Sequence, residues 1–176
     1  ILAEPFPDTG LAIAPLYDEP FLAAVPSTHP LAQQESISTQ QLKNETMLLL
    51  GAGHCFRDHV LEVCPEFARY ASNAEGIRRS FEGSSLETIK HMVAAGMGVT
   101  LVPRLSVAND ALQSPRRRRS DEPYIRYLPI VEPDGSAPPK RRVSLVWRRS
   151  FTRYEAIAAL RNAIHACKLL GVERLN

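Results

Sequence analysis

The sequence lacks any stretch of about eighteen uncharged apolar residues, so it predicts no membrane-spanning helix. Residues Ile1 to Pro5 include no initiator methionine and no basic segment of a signal peptide, so we expect an interior cut or an artificial chain boundary and not a signal peptide. The 176 residues contain only three cysteines, and this odd number argues against a disulfide framework. We therefore expect a reducing compartment, the cytoplasm, in which any disulfide is transient.

Strong charge of either sign is also absent. The formal net charge is +2, and the one dense basic cluster is Arg116–Arg119. Prolines and acidic residues flank this cluster, which favours a solvated loop over a nucleic-acid-binding face. With 44% apolar residues, the chain is long enough for one substantial core or two small lobes.

The middle of the chain alternates between strand and helix patterns. Met47–Leu50 and Val99–Val102 are short apolar runs typical of buried strands. Amphipathic helices are predicted after Gly53 and at Ser84-Ser85-Leu86-Glu87, where the Ser-x-x-Glu pattern is typical of a capping box. This alternation predicts an α/β fold in which parallel pairing is favoured.

Two predictions concern the ends of the chain. Leu11–Leu16 and Phe21–Val25 are expected to form two strands separated by a break at Asp18–Pro20. Apolar residues recur at three- and four-residue steps from Tyr154, which predicts a closing amphipathic helix. Cys167 falls on its apolar stripe, so the sequence predicts a buried, unreactive thiol there.

Residues 51–65 concentrate the reactive side chains, with two of the three cysteines and two of the five histidines. Cys55 lies near a predicted helix N-terminus, between His54 and Arg57. The helix dipole contributes only about 0.3–1 kcal/mol, too little to ionise a thiol of ordinary pKa at neutral pH. Thiolate character in Cys55 therefore requires Arg57, with a hydrogen bond from His54 as a second contribution.

The second thiol of this segment, Cys64, lies nine residues further on. Within one helix the two Cα atoms would be about 13.5 Å apart, whereas a disulfide needs roughly 4.4–6.8 Å. A Cys55–Cys64 bond thus requires the helix to unwind. Closing a loop of about ten residues contributes roughly 2.5–3 kcal/mol, similar to the packing that the helix loses. The two states would be nearly balanced, as a reversible switch requires.

Three other interpretations of the segment remain open. Cys55 and Cys64 are also consistent with ordinary structural cysteines, because one Cys-x8-Cys pair is a weak motif. A zinc site with His54 and His59 lacks the close paired spacing of structural zinc ligands. A Cys-His nucleophile is unaccompanied by a nucleophile-elbow motif or any similar signature.

Several stretches together resemble the peroxide-sensing transcriptional regulators of the LysR type. The strongest is Gly53-His54-Cys55-Phe56-Arg57-Asp58 followed by Cys64 after eight intervening residues. Ser85–Pro103 is similar to the helix and strand that follow this centre in the family. Leu16–Pro20 and Arg153–Glu155 also match, so the likeness covers most of the chain.

The resemblance implies a two-lobed effector domain like the periplasmic binding proteins, with mixed sheets flanked by helices. Residues 1–19 would begin lobe I, 20–127 would form lobe II, and 128–176 would return to lobe I. Lobe I would lack its opening strands and helix. The family's winged helix-turn-helix and linker helix are also expected to be absent from this chain.

The resemblance also implies roles for individual residues. Cys55 would react with peroxide, Cys64 would resolve the product into a reversible disulfide, and His54 and Arg57 would support the thiolate and its peroxide. Such a domain is a regulator and not an enzyme, and it needs no cofactor or metal.

The implied partners are hydrogen peroxide, further copies of the chain in a dimer or tetramer, and a glutaredoxin- or thioredoxin-type reductant. DNA and RNA polymerase would be contacted through the full-length protein, and no membrane is involved. Two alternatives are a LysR-type effector domain gated by a small organic ligand between the lobes, and a thiol peroxidase in which Cys55 turns over.

Overall fold

Strands and helices alternate through the middle of the chain. The computed structural model describes residues 1–7, 9–65, 67, 80–108 and 124–175. The strands are β1 (Leu2–Ala3), β2 (Leu11–Pro26), β3 (Met47–Leu50), β4 (Ser80–Gly83), β5 (Thr100–Pro103), β6 (Ile125–Pro129), β7 (Lys140–Arg148) and β8 (Glu173–Arg174). The helices are α1 (Thr39–Leu42), α2 (Cys55–Val63), α3 (Leu86–Ala94) and α4 (Tyr154–Ala166), with 3₁₀ turns at Pro30–Gln33 and Arg104–Ser106. The predicted α/β class with mixed sheets is confirmed.

The chain divides into two compact units. The first unit comprises residues 1–20 and 140–176, and the second comprises residues 21–139. The resemblance implies that the chain returns to lobe I at residue 128, but Leu128 lies in β6, paired with Ala23 of β2 inside the second unit. The chain re-enters the first unit at Lys140. The assignment of these units to the family's two lobes stays a prediction.

The predicted break at Asp18–Pro20 is wrong, because β2 is one continuous strand of sixteen residues. Its first part pairs antiparallel with β7 through Pro20, with a bulge between Pro15 and Tyr17. The two acidic residues are buried and face arginines of β7: the Asp18 carboxylate accepts from Arg142 at 2.9 and 3.1 Å, and Glu19 accepts from Arg141 at 2.9 Å. These charged pairs allow the strand to continue through a polar stretch.

In the second unit, the end of β2 lies between two antiparallel neighbours, β5 and β6. β3 and β4 pair in parallel, as the alternation predicts. A parallel bridge from Met47 to Val99 joins β3 to the strand that follows α3, and the Thr100 hydroxyl donates to the Leu48 carbonyl oxygen at 2.7 Å. All four residues of β3 are buried, so this strand is the central support of the helices α2 and α3.

Glycines and a serine cap fix both ends of α3. The N-cap is Ser85 and not Ser84 of the predicted capping box, because the Ser85 hydroxyl accepts from the Thr88 backbone N–H at 3.1 Å. Gly96 follows the helix with a φ of 78°. A Cβ at Gly98 would lie 2.4 Å from the Thr46 carbonyl oxygen. Only glycine, which has no Cβ, avoids this clash. Local sequence signals thus position this helix and the close passage of the chain after it.

The closing helix α4 forms where the apolar periodicity predicts it. The expected burial is wrong, however, because none of its side chains is buried, and Tyr154 and Leu160 are 61% and 47% exposed. Cys167 is an exposed thiol and not a buried one. Periodicity identifies the apolar face of a helix but not whether another element covers it.

Candidate functional site

A short turn between β3 and α2 presents Cys55 at the surface. Gly53 adopts a φ of 93°, a left-handed conformation that glycine tolerates. His54 is the extended N-cap residue, and its carbonyl oxygen accepts from the Arg57 backbone N–H at 2.9 Å. Cys55 is consequently the first residue of α2, at the helix N-terminus as the sequence predicts, and it is exposed.

The other end of α2 holds Cys64 inside the core. Cys64 leaves the helical conformation with φ −131° and ψ 72°, while its N–H still donates to the Val60 carbonyl oxygen at 3.0 Å. Its carbonyl oxygen accepts from Phe67 at 3.2 Å. The residue has 0% exposure. Pro65 then prevents the helix from continuing.

The two thiols therefore occupy opposite ends and opposite environments of one helix. Both are thiols and not a disulfide in this structure. The nine residues of α2 place the Cα atoms about 13.5 Å apart at 1.5 Å per residue, twice the reach of a disulfide. Cys55 is accessible to a small solute, whereas Cys64 is reached only when the helix is displaced or unwound.

Aromatic side chains anchor the inner face of α2. Phe56 is buried and meets the Phe21 ring edge-to-face, with centroids 5.4 Å apart and an interplanar angle of 80°. His59 is buried beside both rings, at centroid distances of 6.2 and 6.4 Å. Although the sequence suggested His59 only as a metal ligand, its position three residues after Phe56 and next to Val60 already indicates the inner face.

Arg57 connects the first turn of α2 to the sheet beneath it. Its Nη1 donates to the Leu50 carbonyl oxygen at 2.8 Å and to Glu82 Oε1 at 2.6 Å. The Arg57 side chain is 13% exposed and that of Glu82 is 51% exposed. Glu82 lies in β4, opposite Leu49 of β3, so the guanidinium bridges the parallel strand pair.

Sequence reasoning missed Glu82. It is separated from Arg57 by 25 positions, and no spacing rule links a strand carboxylate to a helix arginine across that distance. The support of the Cys55 thiolate by Arg57 and His54 stays a prediction. His54 is exposed and its side chain makes no capping hydrogen bond.

Two further observations bear on the earlier predictions. Among the described residues, no group of three or more His, Cys, Asp or Glu side chains is arranged to hold a metal ion. In the same part of the chain, no helix is long and apolar enough to cross a membrane. The predicted loop at Arg116–Arg119 and the predicted edge segment at residues 69–79 lie outside the described residues.

Comparison with known proteins adds independent observations. The family model of the LysR substrate binding domain matches residues 1–167. The DNA-binding transcriptional dual regulator OxyR of Escherichia coli K12 is 38% identical over 147 residues, which is 82% of this chain. The match covers 42% of that protein, so the chain spans less than half the length of this curated relative.

Solved structures give the same result. A reduced form of OxyR from N. meningitidis superposes with a TM-score of 0.82 at 35% identity, over 99% of this chain and 74% of that one. The reduced OxyR regulatory domain from Pseudomonas aeruginosa gives a TM-score of 0.72 at 36% identity, over 94% and 71%. An oxidised form of OxyR gives 0.63 at 32% identity, over 94% and 69%.

Proposed function

Because the chain belongs to the LysR substrate binding domain family, and within it to the OxyR group, we propose that it is the regulatory domain of a transcriptional regulator that senses hydrogen peroxide. One observation carries the proposal: an exposed Cys55 and a buried Cys64 lie at opposite ends of the single helix α2. An accessible thiol can react first, and a hidden thiol couples the second reaction to a change of structure.

The proposed chemistry proceeds in two balanced steps. The Cys55 thiolate attacks one peroxide oxygen, the O–O bond breaks, and the departing hydroxide takes a proton to become water, leaving a sulfenic acid. The Cys64 thiolate then attacks the Cys55 sulfur, the S–S bond forms, and the hydroxyl group leaves as a second water. Two thiols lose two electrons in total and one peroxide gains them.

His54 and Arg57 support the first of these steps in our proposal. His54 is the N-cap residue just before Cys55, and Arg57 lies two residues after it in the first turn of α2, where the helix N-terminus also favours negative charge. A cationic or hydrogen-bonding neighbour stabilises the thiolate, which is the reactive form, and also the hydroxide that leaves. Replacement of either residue should slow sulfenic acid formation more than the later closure of the disulfide.

Disulfide formation must reorganise α2. Because the Cα atoms of Cys55 and Cys64 are about 13.5 Å apart, at least part of the helix has to unwind before the sulfurs bond. The inner face of α2 packs on the core through Phe56 and Val60, so the change alters the surface around it. We propose that this change is what the full-length regulator transmits.

The remaining partners follow from the same proposal. In the full-length protein, the altered surface would change how copies meet in a dimer or tetramer, and thereby the contacts with DNA and RNA polymerase. A glutaredoxin- or thioredoxin-type dithiol would reverse the disulfide by exchange. The protein would consume one peroxide per reduction cycle as a signal and would not act as a peroxidase.

The test is peroxide titration of the 176-residue chain with thiol counting and peptide mapping. We expect one equivalent of peroxide to remove two thiols and to link Cys55 to Cys64. Cys55→Ser should retain all its thiols, and Cys64→Ser should stop at a sulfenic acid trapped by dimedone. Cys167→Ser is the matched control and should react as the wild type does. A disulfide to Cys167, or an unreactive Cys55, would refute the proposal.

A thiol peroxidase is distinguished in the same preparation. With a thioredoxin or glutaredoxin system and excess peroxide, a sensor should turn over only slowly, at the rate at which the reductant opens its disulfide. Peroxide consumption per mole of chain as fast as that of a thiol peroxidase measured in parallel would favour the enzyme.

A further inference from the structure

The bridge from Arg57 to Glu82 lies where a redox change in α2 must begin. Arg57 follows Cys55 by two residues, in the first turn of the helix. Its Nη1 is held by two acceptors, the Leu50 carbonyl oxygen at 2.8 Å and Glu82 Oε1 at 2.6 Å. Any displacement of this turn relative to β3 and β4 separates the guanidinium from at least one of them.

The two acceptors differ in how firmly they are fixed. Leu50 belongs to β3, a strand whose four residues are all buried. Glu82 stands opposite Leu49 in β4, and the pairing continues past it, because the Gly51 N–H donates to the Gly83 carbonyl oxygen at 3.1 Å. The carboxylate is thus presented from a hydrogen-bonded strand and not from a mobile loop. It also supplies the negative charge of the pair, so the hydrogen bond from Arg57 to Glu82 is assisted by charge on both partners.

From this geometry we infer that Glu82 is a positioning residue of the switch, acting through Arg57 to hold the first turn of α2 in the reduced arrangement. The inference rests on the proposed function. The pair exists in the dithiol form, and its contacts are lost or stretched when the turn that carries Cys55 unwinds. Glu82 therefore stabilises the dithiol relative to the disulfide, and so raises the reduction potential of the Cys55–Cys64 couple.

The size of the effect follows from exposure. Arg57 is mostly sheltered and Glu82 is half exposed, so the pair is stronger than a solvated surface ion pair and weaker than a buried one. Removal of the carboxylate should shift the dithiol–disulfide equilibrium roughly three- to tenfold towards the disulfide. For a two-electron couple, this corresponds to a potential lower by about 15–30 mV.

The experiment measures the reduction potential of the 176-residue chain in glutathione buffers, with the Cys55–Cys64 disulfide quantified by mapping. Glu82→Ala is compared with Glu173→Ala, a matched control. Glu173 is likewise a strand glutamate, 68% exposed, with its carboxylate 2.9 Å from the Lys140 ammonium group. We expect the lower potential in Glu82→Ala alone. High salt should lower the wild-type potential and leave that of Glu82→Ala nearly unchanged, because only the wild type has the ion pair to screen.

A double-mutant cycle tests whether Glu82 acts through Arg57. In an Arg57→Gln background, Glu82→Ala should have no further effect on the potential. Equal potentials for wild type, Glu82→Ala and Glu173→Ala would overturn the inference, as would an undiminished Glu82 effect in the Arg57→Gln background. These failures leave the proposed function intact. Absence of any Cys55–Cys64 disulfide in the wild type would instead overturn both.

Discussion

Replacement of Val60 by alanine should move the redox equilibrium as well as the stability. Val60 is 2% exposed and lies in the middle of α2, on the face that packs against the core. The substitution removes two methyl groups at about 0.8 kcal/mol each and leaves a cavity, while alanine regains about 0.5 kcal/mol in helix propensity. The reduced form should therefore lose about 1.5–2 kcal/mol.

The free energy of unfolding of the oxidised form should fall by less, because the helix that positions Val60 has unwound in that form. The difference between the two forms appears directly in the reduction potential. At about 1.4 kcal/mol per 30 mV for two electrons, Val60→Ala should lower the potential by up to roughly 30–40 mV, the value reached if the oxidised form loses no stability. A glutathione titration with quantification of the disulfide measures this shift, and urea unfolding of the reduced chain measures the stability.

Val93→Ala provides the matched control. Val93 is 0% exposed, lies on α3 and belongs to the same core cluster. Its replacement by alanine is therefore the same chemical change, made in a helix that the disulfide does not span. It should lower stability by a similar amount in both redox forms and leave the potential unchanged. Equal potentials for the two variants would refute the reasoning, since α2 would then keep its core packing after oxidation.

Three further predictions follow from other features. The hydrogen bonds from Arg142 hold the pKa of Asp18 below its ordinary value of 3.8. The ion pair therefore stabilises the fold above pH 3.8, and this stabilisation is lost as the pH falls through the lowered pKa. Asp18→Asn should lower the free energy of unfolding by about 1–3 kcal/mol at pH 7 and flatten the acid side of the stability profile in urea titrations. Gly98→Ala should cost about 1–3 kcal/mol in the same assay, because its Cβ would meet the Thr46 carbonyl oxygen at 2.4 Å, and a loss under 0.5 kcal/mol would contradict the close passage. Amide hydrogen exchange should rise on oxidation more at Arg57 than at Cys64, and the reverse order would place the moving end of α2 at its C-terminus.

Local signals predicted the helices because they lie within a few residues of one another. Gly53 and Pro65 bracket α2, and the Ser85 cap and Gly96 bracket α3, so each helix is specified by its own ends. The two cysteines were likewise placed correctly at the ends of α2 by counting residues. These predictions needed no knowledge of the rest of the chain.

The errors all depended on partners distant in sequence. Asp18 continues a strand instead of breaking it because Arg142, 124 positions away, neutralises it across the sheet. Glu82 could not be assigned to the site because its partner is on another element. Cys167 was assigned to a core by periodicity, but no rule of local spacing reveals whether the apolar face of α4 is covered.

The two ends of α2 resist movement by different amounts. To displace Cys64 towards the surface, the protein must take a thiol and the neighbouring Phe67 out of the core, and both have 0% exposure. Exposing a phenylalanine side chain alone costs about 1.5–3 kcal/mol.

To displace Cys55, which is already exposed, the protein must break the half-exposed contact of Arg57 and loosen Phe56. The left-handed Gly53 lies just before this end and gives the backbone freedom that Pro65 denies the other end. If the proposed function is right, we expect the movement to begin at the first turn of α2, with Cys55 travelling towards a Cys64 that stays near the core.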